Sequence, residues 1–217
     1  MKYSNDAKIK LLLFFTIFMF SINLTFASYN NDLIASYEFN DVNCLEDYRG
    51  NLHLNLSQGT LNCTIGKLGT GFYGDDYTWA TSLTDLDLYI QDEYPFSWTG
   101  WVKVDTTDED MAYWSIANNN SIIQYYHVGQ DNTQLRTQRR NGSSADTLLL
   151  QEYSSIPNYW KHLAVNFNSS TVAEFYVNGE LVSTDTSEVC YNCASIDTIY
   201  IGALRKSSNS DYLDGVV

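Results

Sequence analysis

Beyond residue 28, apolar side chains recur at every second position and almost nowhere at helical spacing. The run 172–177, Val-Ala-Glu-Phe-Tyr-Val, alternates, meets Asn178-Gly179 and returns through Glu180-Leu-Val182. Asn and Gly both tolerate the positive φ that a two-residue type I′ turn needs, and that turn's twist matches the strands it joins. A hairpin is expected, with Phe175 and Val177 on one side and Glu174 and Tyr176 on the other. Residues 96–104 put Phe96, Trp98, Gly100, Val102 and Val104 on one side, and residues 160–167 do the same for Leu163, Val165 and Phe167. Further short runs fall at 33–39, 111–117, 121–128, 134–139, 147–151, 180–183 and 198–201, separated by Gly, Asn, Asp and Ser. Such spacing predicts an all-β chain with two antiparallel sheets layered as a β-sandwich. Pro95 and Pro157, the only prolines, each stand just before a predicted strand, where a missing N–H does no harm.

The first 27 residues have a different character. Lys2, Lys8 and Lys10 precede an apolar run over 11–20, and Leu24-Thr-Phe-Ala27 closes it with small residues. This is the layout of a secretory signal peptide with cleavage after Ala27, and the apolar run is far shorter than the roughly 20 residues of a spanning helix. The expectation is an exported chain, residues 28–217, secreted or displayed at the cell surface and not inserted in a membrane once the leader is gone. The formal net charge is −14, which repels phosphate backbones and argues against nucleic acid as a partner. Aromatic residues make up 15% of the chain and hydrophobic ones 44%, enough to build a core, so the acidity belongs to the surface.

All four cysteines, Cys44, Cys63, Cys190 and Cys193, follow the leader. An even count in an exported chain predicts two disulfides, with three connectivities open. The local pairs Cys44–Cys63 and Cys190–Cys193 are preferred over a zinc or redox reading of Cys190-Tyr-Asn-Cys193, which has no nearby second ligand pair and opens no helix. Asn-x-Ser/Thr sequons begin at Asn55, Asn62, Asn119, Asn141 and Asn168 and mark expected surface positions.

The order of segments resembles one family. Leu33-Ile-Ala-Ser-Tyr-Glu-Phe-Asn-Asp41 is similar to the first strand of laminin-G-like jelly rolls of the concanavalin A-like lectin/glucanase type. Gly66-Lys-Leu-Gly-Thr-Gly-Phe-Tyr-Gly-Asp75, Phe96-Ser-Trp-Thr-Gly-Trp-Val-Lys103 and Trp160-Lys-His-Leu-Ala-Val-Asn-Phe167 resemble three further family segments in the right order. Phe175-Tyr-Val-Asn-Gly-Glu-Leu-Val182, Ile199-Tyr-Ile-Gly202 and Tyr212-Leu-Asp-Gly215 continue the match. The family pattern runs on after the last of these into a final strand beside the first. The chain is therefore expected to lack that strand, to show an open edge, and to be part of a longer multidomain protein.

The resemblance implies a recognition or adhesion module that binds carbohydrate or an extracellular protein, without catalysis. The alternative is an accessory domain or fragment of a secreted glycan-cleaving enzyme. A retaining glycosidase would need two carboxylates about 5 Å apart. Asp105-Thr-Thr-Asp-Glu-Asp110 reads as a loop, and Asp85 and Asp87 alternate without aromatic surroundings, so no catalytic pair is assigned. His53, His127 and His162 have no nucleophile motif beside them, and a structural hydrogen bond is expected at His162. Sugar C–H faces stack on aromatic rings while Asn, Asp and Gln take hydroxyls. Trp101, which alternates out of phase with Val102, is combined with Tyr125 and His127 as the expected ligand-binding set. Calcium, a hard cation that takes oxygen ligands, is the implied ion, with Asp41 and Asp214 at the positions the family uses.

Overall fold

The computed structural model describes residues 33–39, 44–50, 52–75, 77–82, 95–106, 110–118, 121–132, 134–141, 144–154, 157–169, 171–186, 197–204 and 211–217. Among these residues there are fourteen strands and no helix. The strands are β1 (Leu54–Gln58), β2 (Cys63–Ile65), β3 (Thr70–Asp75), β4 (Trp79–Ser82), β5 (Phe96–Val104), β6 (Met111–Asn118) and β7 (Ser121–Asp131). They continue with β8 (Gln134–Asn141), β9 (Ser144–Ser154), β10 (Lys161–Phe167), β11 (Ala173–Val177), β12 (Glu180–Asp185), β13 (Thr198–Ile201) and β14 (Asp214–Val216). One sheet has the order β1-β4-β13-β6-β7-β8-β9 and the second has β12-β11-β10-β5-β14-β3-β2. Neighbours within each sheet are antiparallel.

The two sheets share one core, so the expected sandwich is what forms. Val102, Val104, Leu163, Val165, Phe167, Phe175 and Val177 from the second sheet meet Trp114, Ile116, Tyr126, Val128 and Leu135 from the first. Burying each such side chain contributes on the order of 1.5–3 kcal/mol. The β11–β12 turn carries positive φ at Asn178 (53°) and Gly179 (85°), with Phe175 and Val177 inside and Glu174 and Tyr176 half-buried on the other side, as alternation requires. At Gly100 the absent side chain matters, because a Cβ there would stand 3.1 Å from the Trp114 ring reaching across from the first sheet.

Three features differ from the expectations. Residues 33–39 do not form a regular strand; only Tyr37 bridges, to Asp47. The buried Asp47 carboxylate takes the backbone N–H groups of Ser36 (2.7 Å), Arg49 (3.0 Å) and Leu52 (3.0 Å), so a side chain satisfies donors that a neighbouring strand would otherwise satisfy. Positive φ at Phe39 (53°) then ends the extended run. The 54–82 region holds four strands that alternation alone did not single out. Finally, Asp214–Val216 forms a strand inside the second sheet that alternation did not single out. It lies between β3 and β5, and Val217 and Phe72 exchange backbone hydrogen bonds of 3.0 Å each.

Cys44 and Cys63 form the expected disulfide, with Cα atoms 5.9 Å apart, and tie residues 44–50 to the edge strand β2. Cys190 and Cys193 lie outside the described residues.

Candidate functional site

The register of the second sheet assembles a polar and aromatic face turned away from the core. With Val102 and Val104 buried inward, Ser97, Thr99, Trp101 and Lys103 of β5 point outward. The pairs His162 with Trp101, Ala164 with Thr99 and Asn166 with Ser97 place β10 beside them. On the far side of β10, Tyr176 stands opposite Ala164, and Glu174 opposite Asn166. Small side chains therefore floor the middle of the face. Trp101 and His162 stand at one end, Asn166 and Glu174 at the other, and Tyr176 runs along one flank.

Each of these groups is held. The Trp101 and His162 rings lie 5.0 Å apart, and His162 Nε2 shares a 2.8 Å hydrogen bond with Thr99 Oγ1. The His162 N–H donates to Asn178 Oδ1 at 3.0 Å, so the hairpin turn itself steadies the ring's backbone. Lys67, from the turn between β2 and β3, lies with its ammonium 5.0 Å from the Trp101 ring centre, and the Lys103 ammonium lies 5.7 Å from that of Trp160. Tyr176 donates to Glu174 Oε2 at 2.9 Å.

Hydrogen bonds from Asn168 and Tyr176 hold the Glu174 carboxyl below its usual range, and the bond to Glu174 pushes the Tyr176 phenol up. Glu174 thus adds to stability above its unfolded-state pKa, and that contribution is lost as the pH falls through the lower folded-state value. In Glu174→Gln, the Tyr176 phenolate is expected to appear at lower pH than in the parent, read by ultraviolet or NMR titration. An unmoved Tyr176 titration would refute the coupling.

Tyr125 and His127 belong elsewhere. Both project from β7 on the outward side of the first sheet, so the structure does not bring them together with Trp101, which the second sheet carries. Alternation indicates the side of a strand on which a residue sits, not the sheet to which the strand belongs, and the expected three-residue set crossed that boundary. Tyr125 (2% exposed) and His127 (1%) are also buried, and Tyr125 packs in a second apolar cluster with Ala112, Ala117, Tyr200 and Leu204, with Trp79 against it. Tyr125 donates to Gln138 Oε1 at 2.6 Å, and Arg136 Nε donates to His127 Nε2 at 3.3 Å.

Arg136 is a residue that sequence reasoning passed over. Its guanidinium lies 3.0 Å from Asp211, 3.4 Å from Asp131 and 3.9 Å from Asp110. Burial raises the Asp110 pKa while Arg136 pulls it down. Asp110 therefore serves an ion-pair network. Asp85 and Asp87 lie outside the described residues.

Asp41 also lies outside the described residues, so the expected pair with Asp214 is not seen together. Asp214 stands opposite Asp75, and with Asp105 these acids surround Tyr73, which donates to Asp105 Oδ2 at 3.2 Å. Burial first, then Asp105, pushes the Tyr73 phenol up to about 12. Among the described residues no three His, Cys, Asp or Glu side chains come together in a way that would hold a metal ion.

The fold is shared with solved structures. The binding domain of botulinum neurotoxin serotype D/C matches with TM-score 0.65 and 16% identity, over 86% of this chain and 48% of that one. Domain 4 of AbnA, a GH43 extracellular arabinanase from Geobacillus stearothermophilus solved with arabinotriose, matches with TM-score 0.59 and 17% identity, over 84% of this chain and 87% of that one. A botulinum neurotoxin type C structure, from a toxin whose cell entry depends on two ganglioside molecules, matches with TM-score 0.63 and 18% identity, over 88% and 48%. The chain spans about half the length of the toxin domains it matches. No curated protein sequence matches it. A profile of the concanavalin A-like lectin/glucanases superfamily matches residues 72–217, and the chain belongs to that superfamily.

Proposed function

We propose that the protein is an extracellular, non-catalytic recognition module that binds a glycan across the outward face of the second sheet, centred on Trp101. One observation carries this reading. A half-buried indole, braced by His162, borders a floor of small residues ringed by Thr99, Asn166, Glu174 and Tyr176. An aromatic platform with fixed polar groups beside it suits a sugar, whose C–H face stacks while its hydroxyls find donors and acceptors. Similar folds include a domain solved with arabinotriose and toxin binding domains, one of them in complex with synaptotagmin II. These support a glycan ligand, with an extracellular protein as the other class. The arabinanase domain supports the second reading, an accessory domain carried by a glycan-cleaving enzyme.

A glycan array probed with the purified protein, followed by titration of the best ligand, tests the reading. Trp101→Ala is expected to weaken that binding by at least about 30-fold, the roughly 2 kcal/mol of a central aromatic contact. An unchanged melting temperature establishes that the variant is folded. Binding that survives Trp101→Ala intact removes this face as the site. Repeating the array with a calcium chelator tests the expected ion, and loss of binding would show that the ion is needed.

A further inference from the structure

We infer that the Trp101 face selects anionic oligosaccharides, bearing carboxylate or sulfate groups, over neutral ones; the inference rests on the glycan-binding reading above. The chain has 26 acidic residues against 12 Lys and Arg, so its free cations are scarce. Arg136 and Arg139 are spent inside the fold, each on a buried aspartate. Lys67 and Lys103 arrive instead from separate segments at one end of one face, and both of the cation–aromatic contacts among the described residues are theirs. Among the described residues neither lysine meets a carboxylate within ion-pair distance.

The geometry positions these charges. The turn that carries Lys67 is closed by the Gly66 N–H donating to the Gly69 carbonyl at 2.8 Å, and it extends from the second sheet's edge hairpin to Trp101 on the more central β5. Lys103 lies two residues beyond Trp101 on the same face, about 7 Å along the strand. An ammonium resting on an indole keeps its far side open to a second partner. Two such ammoniums beside a stacking platform match a sugar ring that carries an acid group.

The test titrates the protein with a tetragalacturonide, its fully methyl-esterified form and a sulfated tetrasaccharide. The preferred acid is expected to bind on the order of tenfold tighter than the ester, since an unscreened charge contact in water is worth about one such factor. The carboxylated and sulfated arms identify which acid group the lysines take. The double variant Lys67→Met/Lys103→Met is expected to bring the acid-to-ester ratio near one, while Arg49→Met, which removes an exposed cation elsewhere, keeps the preference. Equal binding of acid and ester that is lost in Trp101→Ala overturns the inference and leaves the glycan reading standing. Acid preference that survives the double variant also overturns it. Failure of all three ligands and of every oligosaccharide on the array removes both.

Discussion

Replacing Asp185 by Ala is expected to destabilise the protein by about 3–5 kcal/mol, the cost of leaving a buried guanidinium without its partner. Arg139 points inward from β8, opposite Tyr126, and Asp185 points inward from the end of β12, opposite Ala173. Their side chains meet at 2.6 Å and are only 3% and 8% exposed, so this ion pair crosses between the two layers. Water cannot take over when one member is removed. The double variant Arg139→Met/Asp185→Leu is expected to recover most of the loss, because apolar side chains of similar size require no desolvation. Urea unfolding of the parent, Asp185→Ala and the double variant measures both effects, with the slope checked for constancy. A single-variant loss below about 1 kcal/mol would mean that solvent reaches the pair. The inward acid also lies on an edge strand, where a charge that must stay inside discourages pairing with a second molecule.

That pair also marks where a sequence stops being informative. Val172–Val177 with Asn178-Gly179 announces its own geometry, because the alternation and the turn chemistry agree and neither depends on distant residues. Residues 96–104 likewise match β5 from end to end. In Gln-Leu-Arg-Thr-Gln-Arg-Arg, by contrast, the spacing of three between Arg136 and Arg139 does indicate opposite faces, but both faces proved to be covered. Their partners, Asp211 and Asp185, are 75 and 46 residues away and carry no local signature. All eight residues of β6 are buried for the same reason, and alternation cannot be read where both sides are inside. The strands over 54–82 are short or glycine-broken and gain their shape from partners such as β13 and β14.

The candidate site divides along the same line. Trp101 was legible because its own strand alternates cleanly, and its outward position follows from Val102 and Val104 alone. Its neighbours were not, because His162, Tyr176 and Lys67 come from three other segments brought together by strand register and one turn. A fold of this superfamily supports many ligands, so recognition lies in what its outward faces carry. On the first sheet, chain segment and ion pairs occupy that side, and Tyr125 and His127 contribute to packing there. On the second, the outward side chains of β5 at Ser97 and Thr99 are exposed and Trp101 is half-buried.

Truncating Phe167 to Ala is expected to cost about 3–5 kcal/mol, a large share of the 5–15 kcal/mol that holds a domain together. Phe167 is fully buried on β10, with the ring of Phe96 from its own sheet at 4.8 Å and that of Tyr126 from the opposite sheet also at 4.8 Å. Phe96 and Tyr126 themselves meet edge to face at 5.4 Å, so three rings close a triangle that fastens the layers. Removing one ring deletes two aromatic contacts and opens a void beside Ala173, whose methyl group cannot fill it. Phe167→Leu keeps most of the volume and should cost less than about 1.5 kcal/mol. Denaturant unfolding gives both values, and the near-ultraviolet circular dichroism of the ring cluster should weaken in step with the larger loss. If Ala and Leu were equally tolerated, with that signal intact, the sheets would not be clamped at this triangle.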